Sequence, residues 1–191
     1  MGFDLYGIDP QTVGTAPTRP ETDDWNAPEW KQYYEDQRFY EQLNPGVYFR
    51  SNVWYWRPVV IFLNHIGAPQ DMLDRMSDNS GNIITTEEIT PYVNIFSQML
   101  EDGSLDHYIA DYKKELQNLP MEACHCCNGK GKLDEQPIFW NKEWLGDGIH
   151  DCHVCEGSGE VKNFQTNYPM DKDVLVEFFE FAKLSGGFQV Y

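Results

Sequence analysis

Basic residues are few in this chain: 14 lysines and arginines stand against 31 aspartates and glutamates, a formal net charge of −17 at pH 7. The shortfall is not confined to a tail, with 5 basic against 9 acidic residues in 1–60, 3 against 10 in 61–120 and 6 against 12 in 121–191. Such a surface repels phosphate backbones at long range, which argues against direct nucleic-acid binding and favours a basic protein partner. Long hydrophobic runs are missing too. The longest, PVVIFL at 58–63, is far shorter than the ~20 residues a membrane-crossing helix needs. The opening MGFDLYGIDP shows no basic leader followed by a signal-type apolar stretch, so the expected address is the cytoplasm, away from membranes. Several catalytic signatures are absent: no glycine-rich phosphate loop, no H-E-x-x-H and no nucleophile elbow. Carboxylates abound, but no pair is singled out by its setting, and abundance is no evidence for acid/base chemistry. His65, His107 and His150 stand alone, as core or surface histidines usually do. No catalytic residue is assigned.

What the chain does have is enough apolar material for a core. Of its 191 residues, 41% are hydrophobic and 15% aromatic, which suits one domain or one domain carrying a small module. The apolar start FDLYGI is followed by DPQTVGTAPTRPETDDWNAP, whose Pro, Thr and Asp content reads as an exposed loop. A helix is expected from about 28 to 43, with Pro28 in its first turn, aromatic residues at Trp30, Tyr33, Tyr34 and Tyr40, and an Asn-Pro-Gly stop. Next come a short strand around Val47 to Phe49 and a helix entered at Arg57 or Pro58, with Trp54 and Trp56 before it and Arg50 and Arg57 placed to stack on their rings. PQDMLDRMS reads as a short helix.

Thr85 and Glu88 have capping-box spacing ahead of a helix that sets Ile89, Val93, Phe96 and Leu100 on one face, although Pro91 leaves a start after Thr90 open. SLDHYIADYKKELQNLP repeats the helical period through Leu105, Ile109, Tyr112 and Leu116. A last helix is expected from about Asp171 to Leu184, ended by Gly186 and Gly187, before a terminal strand FQVY. FDLYGI is the apolar partner to hand for that strand, so the two ends of the chain are expected to meet in a small sheet.

Cysteine is scarce as well, but its placing is informative. Four of the five cysteines form two turns of the pattern C-x-x-C-x-G-x-G: Cys124, Cys127, Gly129 and Gly131, then Cys152, Cys155, Gly157 and Gly159. In a reducing compartment such pairs are read as metal ligands or redox groups before disulfides. The two-residue gap lets both thiolates of a turn face one ion, and the glycines permit positive φ as the chain leaves it. Twenty-four residues, 128–151, lie between the turns and are enough to bring the chain back beside itself. The expectation is one Zn²⁺ per chain held by Cys124, Cys127, Cys152 and Cys155, with no open coordination position. Cys126, at the second x of the first turn, is expected to stay outside the ligand set. His125 and His153 are the alternative donors inside the turns.

These two turns resemble half of the cysteine-rich domain of DnaJ-type chaperones, in which four such repeats form two zinc sites. The resemblance covers 124–131 and 152–159 only. The chain lacks the His-Pro-Asp signature of a J domain and any Gly/Phe-rich linker, so co-chaperone activity is not implied. In repeat count the module is similar to the bacterial anti-TRAP proteins, which have one zinc and two repeats and work by binding another protein. MGFDLYG, YFRSNVWYWRP and SGGF also resemble pieces of a family of phage and bacterial proteins, which supplies no activity to transfer.

The insert between the turns carries Ile138, Phe139, Trp140, Trp144 and Leu145, which either pack on the helical body, the favoured reading, or form a contact patch. The expected fold class is α+β: a mainly helical body with a small sheet and an inserted zinc-binding hairpin. Its expected divisions are 1–120, helical body with N-terminal strand and loop; 121–162, zinc module; and 163–191, helix and strand returning to the body. The expected function is that of a zinc-binding, non-catalytic interaction or regulatory protein, phage-encoded and acting on a host protein in the host cytoplasm. Its rivals are an acidic decoy imitating nucleic acid and an enzyme of unrecognised type.

Overall fold

The computed structural model describes residues 2–133, 139–140, 143–144 and 150–191, for 139–140 and 143–144 the backbone only. The fold is α+β, with six α-helices and small antiparallel sheets among the described residues. Its contacts group into two units, one formed by Met1–Lys113 with Tyr168–Tyr191 and the other by Lys114–Asn167.

The first unit begins with β1 (Gly2–Gly7), whose alternation puts Phe3 and Leu5 inside and leaves Tyr6 exposed. α1 (Pro28–Leu43) starts on the proline, as expected; Trp30 is its one buried residue, and Tyr34, Phe39 and Leu43 are exposed. β2 (Tyr48–Asn52) lies slightly downstream of the strand anticipated around Val47 to Phe49. Asn52 then caps α2 (Val53–His65), its side chain accepting from the Trp54 and Tyr55 amides at 3.0 and 3.2 Å. The expected entry at Arg57 or Pro58 is therefore corrected. Trp54 and Trp56 lie inside the helix, and Pro58 is its sixth residue, where it removes one backbone bond. Burial of Trp56, which also donates through Nε1 to Met76 O at 2.7 Å, offsets that loss.

α3 (Gln70–Ser77) is the short helix anticipated, and β3 (Asn82–Ile84) was not. α4 (Thr86–Asp102) opens on the full capping box, Thr85 and Glu88 each bonding the other's amide, and runs through Pro91, again the sixth residue; it does not wait until after Thr90. Ile89, Val93 and Phe96 are buried as expected, but Leu100 is exposed. α5 (Ser104–Gln117) buries Leu105 and Ile109, and Tyr112 donates its hydroxyl to Tyr168 O at 3.0 Å.

The second unit contains the short strands β4 (Glu122–Ala123), β5 (Lys132–Leu133), β6 (Phe139–Trp140), β7 (Glu143–Trp144), β8 (His150–Asp151) and β9 (Glu160–Val161), followed by a 3₁₀ turn over Phe164–Asn167. They pair antiparallel as β4 with β9, β5 with β8 and β6 with β7. Packing of the apolar insert, from Ile138 to Leu145, lies outside the described residues. The chain returns to the first unit with α6 (Lys172–Leu184), capped by Asp171, and β10 (Phe188–Val190).

The main sheet has the order β2-β1-β10-β3, every pair antiparallel. Leu5 stands opposite Val190 on one side and Phe49 on the other, so the two chain ends do meet in a small sheet. Leu5, Ile84, Phe188 and Val190, all fully buried, line one face, which packs with Trp56, Phe62, Phe178, Phe179 and Phe181 from the helices. Within this core the Phe96 and Phe179 rings stack at 4.1 Å. The anticipated stacking of Arg50 and Arg57 on Trp54 and Trp56 is corrected: Arg50 pairs with Asp4 at 3.5 Å and Arg57 lies 5.2 Å from the Tyr168 ring centre.

Candidate metal centre

The described residues of the second unit gather four sulfurs in a buried cluster. Among the described residues its buried cluster consists of Cys124, Cys127, Cys152 and Cys155, with Cys126, Leu133 and Val161 packed against it. All four cysteines are reduced, and their Sγ atoms lie within 4.8 Å of one another. Cys124 and Cys152 are 3.8 Å apart, and Cys127 and Cys155 are 3.7 Å apart. Both separations far exceed the ~2.05 Å of a disulfide. They equal the edge of a tetrahedron whose centre is ~2.3 Å from each corner, about 3.8 Å, which is the geometry of thiolates around Zn²⁺.

Local backbone chemistry explains how the repeat builds this arrangement. Each element of the first turn recurs 28 positions later, and so do its hydrogen bonds. The Cys124 amide donates to Gly159 O at 2.8 Å, and the Cys152 amide donates to Gly131 O at 2.8 Å, which ties each turn to the other. Inside the turns, Gly129 N–H donates to Cys124 O and Gly157 N–H to Cys152 O. Asn128 and Glu156, at matched positions, both take the left-handed conformation, with φ of 51° and 52°. The last glycine of each repeat is required twice over. Gly131 and Gly159 have φ of 71° and 81°, and a Cβ on either would lie 2.3 or 2.4 Å from the carbonyl oxygen of Gly157 or Gly129 respectively.

Those two glycines also donate to sulfur: Gly131 N–H to Cys127 Sγ at 3.2 Å and Gly159 N–H to Cys155 Sγ at 3.3 Å. Donors of this kind favour thiolate over thiol. The cluster's own acidity is uneven. Burial, reinforced by the neighbouring thiols against the Gly131 N–H, pushes Cys127 up to about 11. Burial pushes Cys152 the same way, but the Cys155 and Val154 amides and the Cys155 and Cys124 thiols override it and draw it down to about 6. Four thiolates packed this closely need a cation among them to share their charge. A divalent ion would supply that cation, and these four sulfurs are positioned to coordinate it.

Among the described residues these four cysteines form the one group of His, Cys, Asp and Glu able to hold a metal. Cys126 is half-buried beside the cluster and outside it, its thiol pushed up by burial and then by Cys152. His125 and His153 are exposed and contribute nothing to the group. His65 stacks on Tyr108 at 4.2 Å, and His107 Nδ1 lies 3.1 Å from Gly103 O, so neither joins a metal group. Sequence reasoning missed the amide-to-sulfur bonds and the turn-to-turn bonds, although the doubled G-x-G was their signal. No described helix is long and apolar enough to cross a membrane. Comparison with family models, with curated proteins and with solved structures returned no match.

Proposed function

We propose that this chain is a zinc-binding, non-catalytic interaction or regulatory protein, phage-encoded and acting in the host cytoplasm on a basic host protein. The observation that supports the metal is the buried cluster of four sulfurs, all within 4.8 Å of one another, with two separations of 3.7 and 3.8 Å. Zn²⁺ suits an all-thiolate set, and a set of four leaves no site for a reacting water; the ion's role is then structural. The interaction reading is supported by the resemblance of the two C-x-x-C-x-G-x-G turns to DnaJ-type and anti-TRAP modules and by the net charge of −17, which steers basic proteins inward.

That charge, spread through all three thirds of the chain, also favours a second reading as a decoy occupying a nucleic-acid cleft. Salt separates the two. Zinc-loaded protein serves as bait for proteins of its natural host, at low salt and near 0.5 M salt, where screening is strong. One partner retained at high salt fits the regulator. Many basic proteins, all lost at high salt, fit the decoy. No captured protein at either salt would remove both readings.

A further inference from the structure

The segment DPQTVGTAPTRPETDDWNAP, 9–28, anticipated as an exposed loop, is tied to α1 and its C-cap residue Asn44 at two points. The Val13 amide donates to Asn44 Oδ1 at 2.6 Å and Asn44 Nδ2 returns a bond to Val13 O, while Trp30 Nε1 donates to Thr22 O at 3.1 Å. Between these ties a cleft of about 480 Å³ opens, large enough for a ligand's side chains. Pro17 and Pro20 form one wall and Tyr33 stands in the other; Glu21, Glu29 and Asp36 supply three carboxylates, and no lysine or arginine lines it. Asp36 is held by Gln32 Nε2 at 2.8 Å.

The rings bordering the cleft already stack with a guanidinium of the chain itself. Thr18 and Pro20 line the cleft, while Arg19 between them places its guanidinium 5.3 Å from the Trp30 ring centre and 5.8 Å from that of Trp25. Those two rings stack at 4.4 Å, and Tyr33 meets Trp30 edge-on at 5.8 Å. A planar, weakly hydrated guanidinium stacks on such rings and pairs with carboxylates in a fork; an ammonium is a point charge with stronger hydration.

We infer that the cleft between residues 17–22 and α1 docks an arginine-bearing segment of a basic partner protein, the guanidinium lying against Tyr33 and pairing with Glu21, Glu29 and Asp36. This inference rests on the protein-binding reading above and names its contact surface. The cleft is anionic and aromatic, so the complementary occupant is cationic and planar.

The test is calorimetric titration of the zinc-loaded full chain with a capped tetra-arginine peptide. Saturable binding is expected, several-fold tighter than for capped tetra-lysine. Glu29→Gln with Asp36→Asn should weaken it several-fold, up to about tenfold, as the loss of two exposed ion pairs implies. Glu177→Gln with Glu180→Gln, an equal charge change on the exposed side of α6, should leave it unaltered. Absence of saturable binding, equal affinity for tetra-lysine, or equal weakening by both double variants would overturn the inference, the last showing diffuse attraction. A captured host partner that binds Glu29→Gln/Asp36→Asn at full strength would overturn the cleft and leave the protein-binding reading standing. Saturable tetra-arginine binding with no captured partner would do the opposite.

Discussion

The two units bury different things. In the unit formed by Met1–Lys113 and Tyr168–Tyr191, the core is hydrocarbon: Leu5, Phe62, Leu63, Met76, Phe178 and Phe188 are fully buried, and rings touch from the sheet through to α6. In Lys114–Asn167 the described buried cluster is four thiols, with strands of two residues each. Apolar burial at ~25 cal/mol per Å² can hold the first unit without help. The second has too little described apolar surface for that, and its thiols repel one another once ionised. Metal binding and folding are nearly one event in such modules, with apparent binding free energies on the order of 10 kcal/mol. Two kinds of cohesion in one chain should respond to different insults.

The largest expected effect follows from removing one of the four clustered sulfurs. Cys152→Ser should drop zinc, measured by elemental analysis of purified protein, from one per chain to well below one; undiminished zinc would mean the ligands lie elsewhere. Next in size is damage to the hydrocarbon core. Trp56→Ala removes a fully buried ring and its hydrogen bond to Met76 O, at a cost of about 3–5 kcal/mol, and should lower the body's Tm by roughly 10 °C while zinc content stays at one. A fall in zinc alongside the fall in Tm would blur the comparison.

Two glycines sharpen it further. Gly131→Ala puts a Cβ 2.3 Å from Gly157 O and should weaken zinc binding at least tenfold in a chelator competition. Gly103→Ala, with similar positive φ at the end of α4 but open space around it, should cost only about 1 kcal/mol in denaturant unfolding and leave zinc affinity unchanged. The smallest effect belongs to Cys126→Ser: the half-buried fifth thiol lies outside the group of four, so metal content and melting should match the parent. Zinc loss there would place Cys126 among the ligands.

The same contrast accounts for what was legible in the sequence. The grouping of the four cysteines was, because a Cys-x-x-Cys turn is local: with its glycines it carries its geometry within eight residues, and the repeat states it twice. Helices with one apolar face were legible too, as with the Thr85 and Glu88 capping box before α4 and the start near Asp171 of α6. The start of α2 was not. Pro58 reads locally as a first-turn residue, and only the tertiary burial of Trp56, with the Asn52 cap, carries the helix past it. β3 was invisible because three residues have no period to show; it exists through pairing with β10, 100 residues away in sequence and more. The cleft beside α1 arises from ties such as Val13 to Asn44, and no local pattern announces those.

The most direct test of two independent kinds of cohesion is hydrogen exchange, read peptide by peptide, on zinc-loaded and chelated protein with circular dichroism alongside. Chelation should expose the amides of residues 121–133 and 150–162 while those of α2, α4 and α6 keep their protection and most helical signal survives. Loss of protection in α2, α4 and α6 together with the cysteine turns would show a single zinc-dependent folding unit and contradict the account.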